Sequence, residues 1–165
     1  MSVVIRAATP DDAAGVAAVL NPIIEDGRYS ALDATFSVEE ERAFIEQFPA
    51  RGVFHVAVDE AAMVAGFQVF EPLAPHLRAL DHVGTIGTYV ELTRRRQGIA
   101  SQLFAATFAA AVAKGYEKIF TFVRADNPAA LNTYLQHGFT VVGTAKRHAK
   151  IRGKYVDEVM IEKQL

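Results

Sequence analysis

Three consecutive arginines, Arg94, Arg95 and Arg96, precede Gln97-Gly98-Ile99-Ala100, and the run lies between a β-branched segment and a long apolar one. These types at this spacing suit one chemistry. A glycine and small residues let backbone N–H groups point at a ligand without side chains in the way. A helix opening there adds partial positive charge to the formal charges of the arginines. Pyrophosphate is the ligand such a turn fits. Each interaction with a helix end contributes only about 0.3–1 kcal/mol, so several must act together. A solvated basic turn before an ordinary helix has the same composition, and the turn alone does not separate the two. It is neither of the common nucleotide loops, lacking both the Gly-Lys-Ser/Thr ending and the three-glycine fingerprint.

The elements that position this turn follow from punctuation. Val3-Val4-Ile5-Arg6-Ala7 is a short β-branched run, and Thr9-Pro10-Asp11-Asp12 has the N-cap, N1 proline and acidic first turn of a helix reaching about Leu20. Asn21 to Phe36 lacks periodicity and is expected as a long loop or broken helix. Ser37-Val38-Glu39-Glu40 is a capping-box pattern opening a helix that ends before Pro49. Strands are predicted near Val53 to Val58 and Met63 to Phe70. A loop over Pro72 to Asp81 leads to a β-rich run from His82 to Val90, with glycines at 84 and 87. The arginine turn opens a helix from about Ile99 to Lys114, stopped by Gly115. Lys118 to Val123 reads as a strand, and Asp126-Asn127-Pro128 starts a helix that Gly138 ends. Thr140 to Glu162 reads as two strands hinged near Arg152-Gly153. The order β, α, α, β, β, β, α, β, α, β, β predicts an α/β (α+β) fold, a mixed sheet with helices on its faces. The unit from 82 to 123 should cross over right-handed.

A length of 165 residues suits one domain spanning 1–165, and no linker or repeat divides it. With 51% hydrophobic and 22% charged residues the composition is globular. The absence of cysteine excludes disulfides, a thiolate metal site and a cysteine nucleophile. The histidines lack metal-ligand spacing, so no metal is expected. The apolar run Ile99 to Ala113 is interrupted by Ser101, Gln102 and Thr107 and is shorter than the ~20 residues of a membrane span. The N-terminus has no signal-peptide pattern, so a cytoplasmic protein with no membrane partner is expected. A net charge of -2 argues against a nucleic-acid partner. That total hides a skew. Residues 1–90 carry 5 basic and 13 acidic side chains, residues 91–165 carry 12 and 6. The second half is where an anion should bind.

The run Tyr89-Val90-Glu91-Leu92-Thr93-Arg94-Arg95-Arg96-Gln97-Gly98-Ile99-Ala100 closely resembles the central motif of the GNAT superfamily of acyl-CoA-dependent N-acetyltransferases. Asn127-Pro128-Ala129-Ala130, Tyr134 and Gly138-Phe139 resemble the family's second conserved region, and Gly153 to Met160 resembles a common ending. Ile5-Arg6-Ala7-Ala8 and Asp12 resemble its opening, so the resemblance spans essentially the whole chain. Asn21-Pro22-Ile23-Ile24 and Thr35-Phe36 are similar to the phosphinothricin and amino-acid N-acetyltransferase branch. The resemblance implies a mostly antiparallel central sheet splayed at the cofactor site. It implies acetyl-CoA (coenzyme A) as cosubstrate and acetyl transfer to a primary amine of a small molecule, by direct attack in a ternary complex. Phosphinothricin or methionine sulfoximine would be such amines. A modifier of protein N-termini or lysines and a non-catalytic acyl-CoA binding module are the alternatives, and a homodimer is the default assembly.

The resemblance also implies roles. The pantetheine arm would lie between the strands His82–Val90 and Lys118–Val123, bonding backbone at Thr88 and Val90 beside Tyr89. The pyrophosphate would sit on the amides of Arg95, Arg96, Gln97, Gly98, Ile99, Ala100 and Ser101. Asn127 would contact the arm, a role compatible with capping a helix before Pro128. Tyr134 matches the usual general acid, a phenol near pKa ~10 able to protonate a thiolate whose conjugate acid is near ~8.5. Tyr29 and Phe36 fall in the segment that lines the acceptor pocket in relatives. The base is where this chain departs from the family: Val83 to Val90 holds no carboxylate. His82 is the nearest titratable group. Glu25, Asp26 and Glu71 are unranked alternatives, and Thr85 could position a water. The basic stretch Lys146, Arg147, Lys150, Arg152 and Lys154 is expected as a solvated hairpin.

Overall fold

The computed structural model describes residues 2–165, and Met1 lies outside the described residues. β-Branched and aromatic runs form seven strands: β1 (Val3–Ala7), β2 (Val53–Asp59), β3 (Val64–Pro72), β4 (Val83–Val90), β5 (Lys118–Arg124), β6 (Thr140–Ile151) and β7 (Lys154–Gln164). The helices are α1 (Ala13–Asp26), α2 (Val38–Glu46), α3 (Ile99–Ala113) and α4 (Pro128–Gln136). One sheet runs in the order β1-β2-β3-β4-β5-β7-β6, and every neighbouring pair is antiparallel except β4 with β5. That parallel pair is joined by the crossover through α3, as a parallel connection requires. Among the described residues no helix is long and apolar enough to cross a membrane.

Alternation along the strands sorts the core into two faces. On one, α1 and α2 pack Val16, Leu20, Ile24 and Ile45 against Phe54, Val56 and Phe67. On the other, α3 and α4 pack Phe104, Ala111 and Tyr134 against Phe70, Ile86, Ile119 and Ile161. The glycine at 84 belongs to this packing, since a Cβ there would overlap the ring of fully buried Phe70. At α2 the capping box forms as read: the Glu40 N–H donates to Ser37 Oγ at 3.1 Å, and the Ser37 N–H donates to Glu40 Oε2 at 2.7 Å.

The helix expected to end near Leu20 instead continues through Pro22 to Asp26. The cause is tertiary. Ile23 and Ile24 are buried against the sheet, and that burial outweighs the one helix bond a proline removes. The segment 27–36 that follows is irregular but tied down. Arg124 donates to the carbonyls of Gly27 and Ser30 at 2.7 and 3.0 Å. Arg152 donates to the Ile24 and Glu25 carbonyls at the end of α1, so this member of the basic hairpin is a helix C-terminal clamp. Asn21 holds both backbone groups of Phe36, at 2.8 and 3.0 Å.

Candidate active site

β4 and β5 pair only at Val83–Lys118 and Gly84–Ile119, then diverge. The Thr121 hydroxyl donates to the Ile86 carbonyl at 2.9 Å and takes the place of the next ladder bond. Successive residues of a strand send their backbone groups to opposite edges. The His82 carbonyl accepts from Glu117 and Lys118, while the Glu91 N–H bonds Ala65 on the β3 side. Even-numbered residues of β4 therefore face β5. Thr88 and Val90 direct their N–H and C=O groups into the gap, where no β5 partner pairs with them.

The arginine turn stands at the mouth of this gap. Arg96 (φ 63°) and Gly98 (φ 78°) are both left-handed, so the backbone curls before α3 begins. The first-turn amides of a helix have no intrahelical partner, and here they open onto a cleft. A Cβ at Gly98 would meet no atom within 4 Å, so glycine is favoured there by φ rather than by crowding. Arg94 is committed elsewhere, 2.6 Å from Asp59 and 2.8 Å from Glu91. Arg95 lies over the Tyr29 ring at 4.0 Å, and Arg96 lines the cleft. Ser101 is bonded to His137 Nε2 at 3.1 Å, while His137 Nδ1 lies 2.7 Å from the Thr133 carbonyl. A carbonyl only accepts, so in the neutral ring Nδ1 carries the proton and Nε2 accepts from Ser101. This bridge ties the first turn of α3 to the end of α4.

Tyr134, on α4, reaches the gap from below. Its ring is packed edge-on against Phe104 and Phe139 at 5.3 and 5.1 Å, and its hydroxyl lies 3.1 Å from Thr88 Oγ1. Burial pushes the phenol up to about 12, with the Thr88 hydrogen bond working against it. Thr88 in turn accepts from Gln68 Nε2 at 2.8 Å. Having accepted there, Thr88 can donate its own proton to Tyr134, and the phenol proton then faces the cleft. Gln68 is fully buried, and its Oε1 has no partner among the described residues. Asn127 caps α4, its Oδ1 accepting from the Ala130 N–H at 3.2 Å.

Two clefts meet here. The first, about 650 Å³, runs from Arg95, Arg96 and Gly98 along Thr88 and Val90 to Tyr134. The second, about 290 Å³, lies between the 29–32 segment and the diverging strands, and includes Phe122, Arg124 and Glu158. Tyr29, Thr88, Tyr89, Asn127, Ala130 and Tyr134 line both.

The acetyltransferase (GNAT) family model matches residues 23–139, more than half of the chain. The chain belongs to the GNAT acetyltransferase family. It is therefore an acyltransferase. Solved structures share the fold over the full chain. An N-acetyltransferase from Staphylococcus aureus Mu50 superposes with a TM-score of 0.90 at 24% identity, covering 99% of each chain. A ribosomal-protein-alanine N-acetyltransferase from Brucella melitensis gives 0.91 at 23%, covering 98% of this chain and 99% of that one. A GNAT superfamily phosphinothricin acetyltransferase from Sinorhizobium meliloti, in complex with AcCoA, gives 0.90 at 17%, covering 100% and 89%. No curated protein matches the chain.

Within this GNAT fold the predicted residues separate. Thr88, Tyr89, Val90, Arg95, Arg96, Gly98, Ile99, Ala100, Ser101, Asn127 and Tyr134 line the first cleft, with Tyr29 at its edge. Gln97 is exposed and outside the lining, and the Ile99 side chain is buried in the core. Tyr89 stacks on Phe67 at 4.8 Å, and burial pushes its phenol up. His82 is not brought to the site. It is exposed at the paired end of β4, and six residues of strand, about 20 Å, separate it from Thr88. Phe36 packs against the first core beside α1 instead of lining either cleft. Thr85 pairs with Glu71 on β3, also outside both clefts, and burial pushes the Glu71 carboxyl up. Asp26 is bound to Arg28 at 2.6 Å. Among the described residues the acidic first half supplies neither cleft with a carboxylate. The one that lines the second cleft, Glu158, comes from the basic half. It was hidden in the terminal motif because adjacent Asp157 and Glu158 face opposite sides of β7. Among the described residues no three metal-ligating side chains converge.

Proposed function

We propose that this enzyme uses acetyl-CoA to acetylate the primary amine of a small molecule, an amino acid or a similar compound such as phosphinothricin or methionine sulfoximine, by direct attack in a ternary complex. The observation carrying this reading is the meeting of two unlike clefts along a shared wall that includes Tyr134. The longer begins at an amide-lined, arginine-flanked turn suited to a pyrophosphate. The shorter has the size of an amino acid and is lined by the same Tyr134. The residues present fit the cosubstrate. Arg95, Arg96 and the amides through Ser101 would hold the pyrophosphate. The Thr88 and Val90 backbone would hold the pantetheine arm as a strand partner would, with Asn127 beside it. When bound, acetyl-CoA supplies a thioester carbonyl.

Tyr134 supports the chemistry of the leaving group. Its phenol stays protonated to about pH 12, and it is hydrogen-bonded so that its proton can face the sulfur position. A phenol this weakly acidic yields its proton to a thiolate of conjugate-acid pKa near ~8.5 only as the much more acidic proton of the acylated nitrogen replaces it. The direct test is an acetylation assay over an amine panel, following free CoA. Phosphinothricin, methionine sulfoximine, free amino acids, polyamines and short peptides belong on it. Turnover of small amines but not peptides is the expected result. Turnover of peptides alone would move the reading to a protein acetyltransferase.

A further inference from the structure

Attack by the amine requires a proton acceptor at the second cleft. Glu158 on β7 is 9% exposed and lines the second cleft. It is the only carboxylate, among the described residues, lining either cleft. None of the described residues donates a hydrogen bond to it. The charged groups facing it from neighbouring strands are two. Arg124 on β5, its register partner, gives four of its five N–H donors to Asp126 and to the Gly27 and Ser30 carbonyls. His148 on β6 approaches no closer than 4.0 Å and stacks on Phe122. The oxygens of Glu158 are not among the buried, unpartnered atoms of the described residues, so they stay open to the cleft and to a cation that brings N–H donors. Phe122, partly exposed, and Tyr29 add aromatic surface to the same cleft, which also suits an ammonium group.

We infer that Glu158 receives the acceptor's ammonium group and is the general base of the reaction; this rests on the acetyl-transfer reading above. One ammonium proton passes to Glu158 and on to water. The freed lone pair forms the new C–N bond to the thioester carbonyl carbon while the C–S bond breaks. Tyr134 gives its proton to the departing sulfur and is restored by the second proton lost from the nitrogen. The amide keeps the third, and one proton is released per turnover. The second cleft therefore selects primary amines by charge as well as by size.

The test compares wild type, Glu158→Gln and Glu158→Asp with acetyl-CoA and whichever amine of the panel wild type acetylates best. The glutamine keeps the shape, and Arg124 keeps Asp126, so the fold should persist. Expected for Glu158→Gln is a fall of about 100-fold in kcat/KM for the amine at pH 7, with KM for acetyl-CoA unchanged. The variant should then use only amine already deprotonated in solution, so its rate should climb with pH and the defect should shrink as pH approaches the amine's own pKa. Glu158→Asp should restore part of the rate. A glutamine variant with wild-type kcat/KM and wild-type pH dependence overturns the assignment while leaving the acetyl-transfer reading standing. A wild type that binds acetyl-CoA but releases no CoA with any amine overturns both.

Discussion

The Tyr134 hydroxyl, 3.1 Å from Thr88 Oγ1, is useful only while it stays protonated and aimed. Burial secures the first and the Gln68–Thr88 pair the second. Tyr134→Phe keeps the ring packing against Phe104 and Phe139, so kcat should fall by about 100-fold with little change in melting temperature; an unchanged kcat would remove the acid role. Because the folded-state pKa is about 12, Tyr134 should contribute no alkaline limb below pH 11. Thr88→Val tests the relay. It fills the same space but leaves both the Gln68 amide and the Tyr134 hydroxyl without their partner. It should destabilise the protein by about 1–3 kcal/mol in chemical denaturation and lower kcat less than Tyr134→Phe does.

Among the elements, α3 and its preceding turn form the proposed pyrophosphate site. The left-handed backbone at Gly98 disfavours any side chain by about 1 kcal/mol, although a Cβ would meet no atom of the chain. Gly98→Val should therefore fold, melt slightly lower and raise KM for acetyl-CoA about tenfold or more, with the amine KM unaffected. Initial-rate kinetics with each substrate varied separately distinguishes the two. β4 and β5 contribute by diverging. The Thr121 side chain, not a strand neighbour, occupies the Ile86 carbonyl, which keeps the gap open beyond that point.

For the molecule as a whole, two buried carboxylates set opposite pH trends. Asp12 is held below the usual range, first by its side-chain hydrogen bonds to Arg6 at 2.7 Å. The stability it contributes is present above the ordinary aspartate value and is lost as pH falls through the depressed one. Glu41 is pushed up by burial, with Glu40 adding to the shift. Its stability contribution is complete below the ordinary glutamate value and is lost as pH rises through the raised one. Asp12→Asn should cost about 1–2 kcal/mol at pH 7, discounted because Arg6 is partly exposed, and progressively less toward pH 2. Glu41→Gln should raise the melting temperature at pH 7 but not at pH 4. Thermal melts across pH 2–8 check both signs.

The sequence by itself determined the element order, the capping of α2 and α4, and the arginine turn. Each depends on residues within a few positions of one another, where local hydrogen bonding and backbone preference decide. The family motif added Tyr134 and Asn127. What only the tertiary structure decided depends on distant residues. α1 passes through Pro22 because the sheet buries Ile23 and Ile24. His82 falls at the wrong end of β4 because the strand is extended and the gap opens only after Gly84. Glu158 reaches the second cleft because β7 pairs with β5, placing the carboxylate opposite Arg124. The charge skew shows the same division. The basic half contains the arginine turn proposed for the pyrophosphate, but the carboxylate facing the proposed amine lies there too. Net charge is a sum along the chain, whereas a site is set by which side chains the sheet brings together.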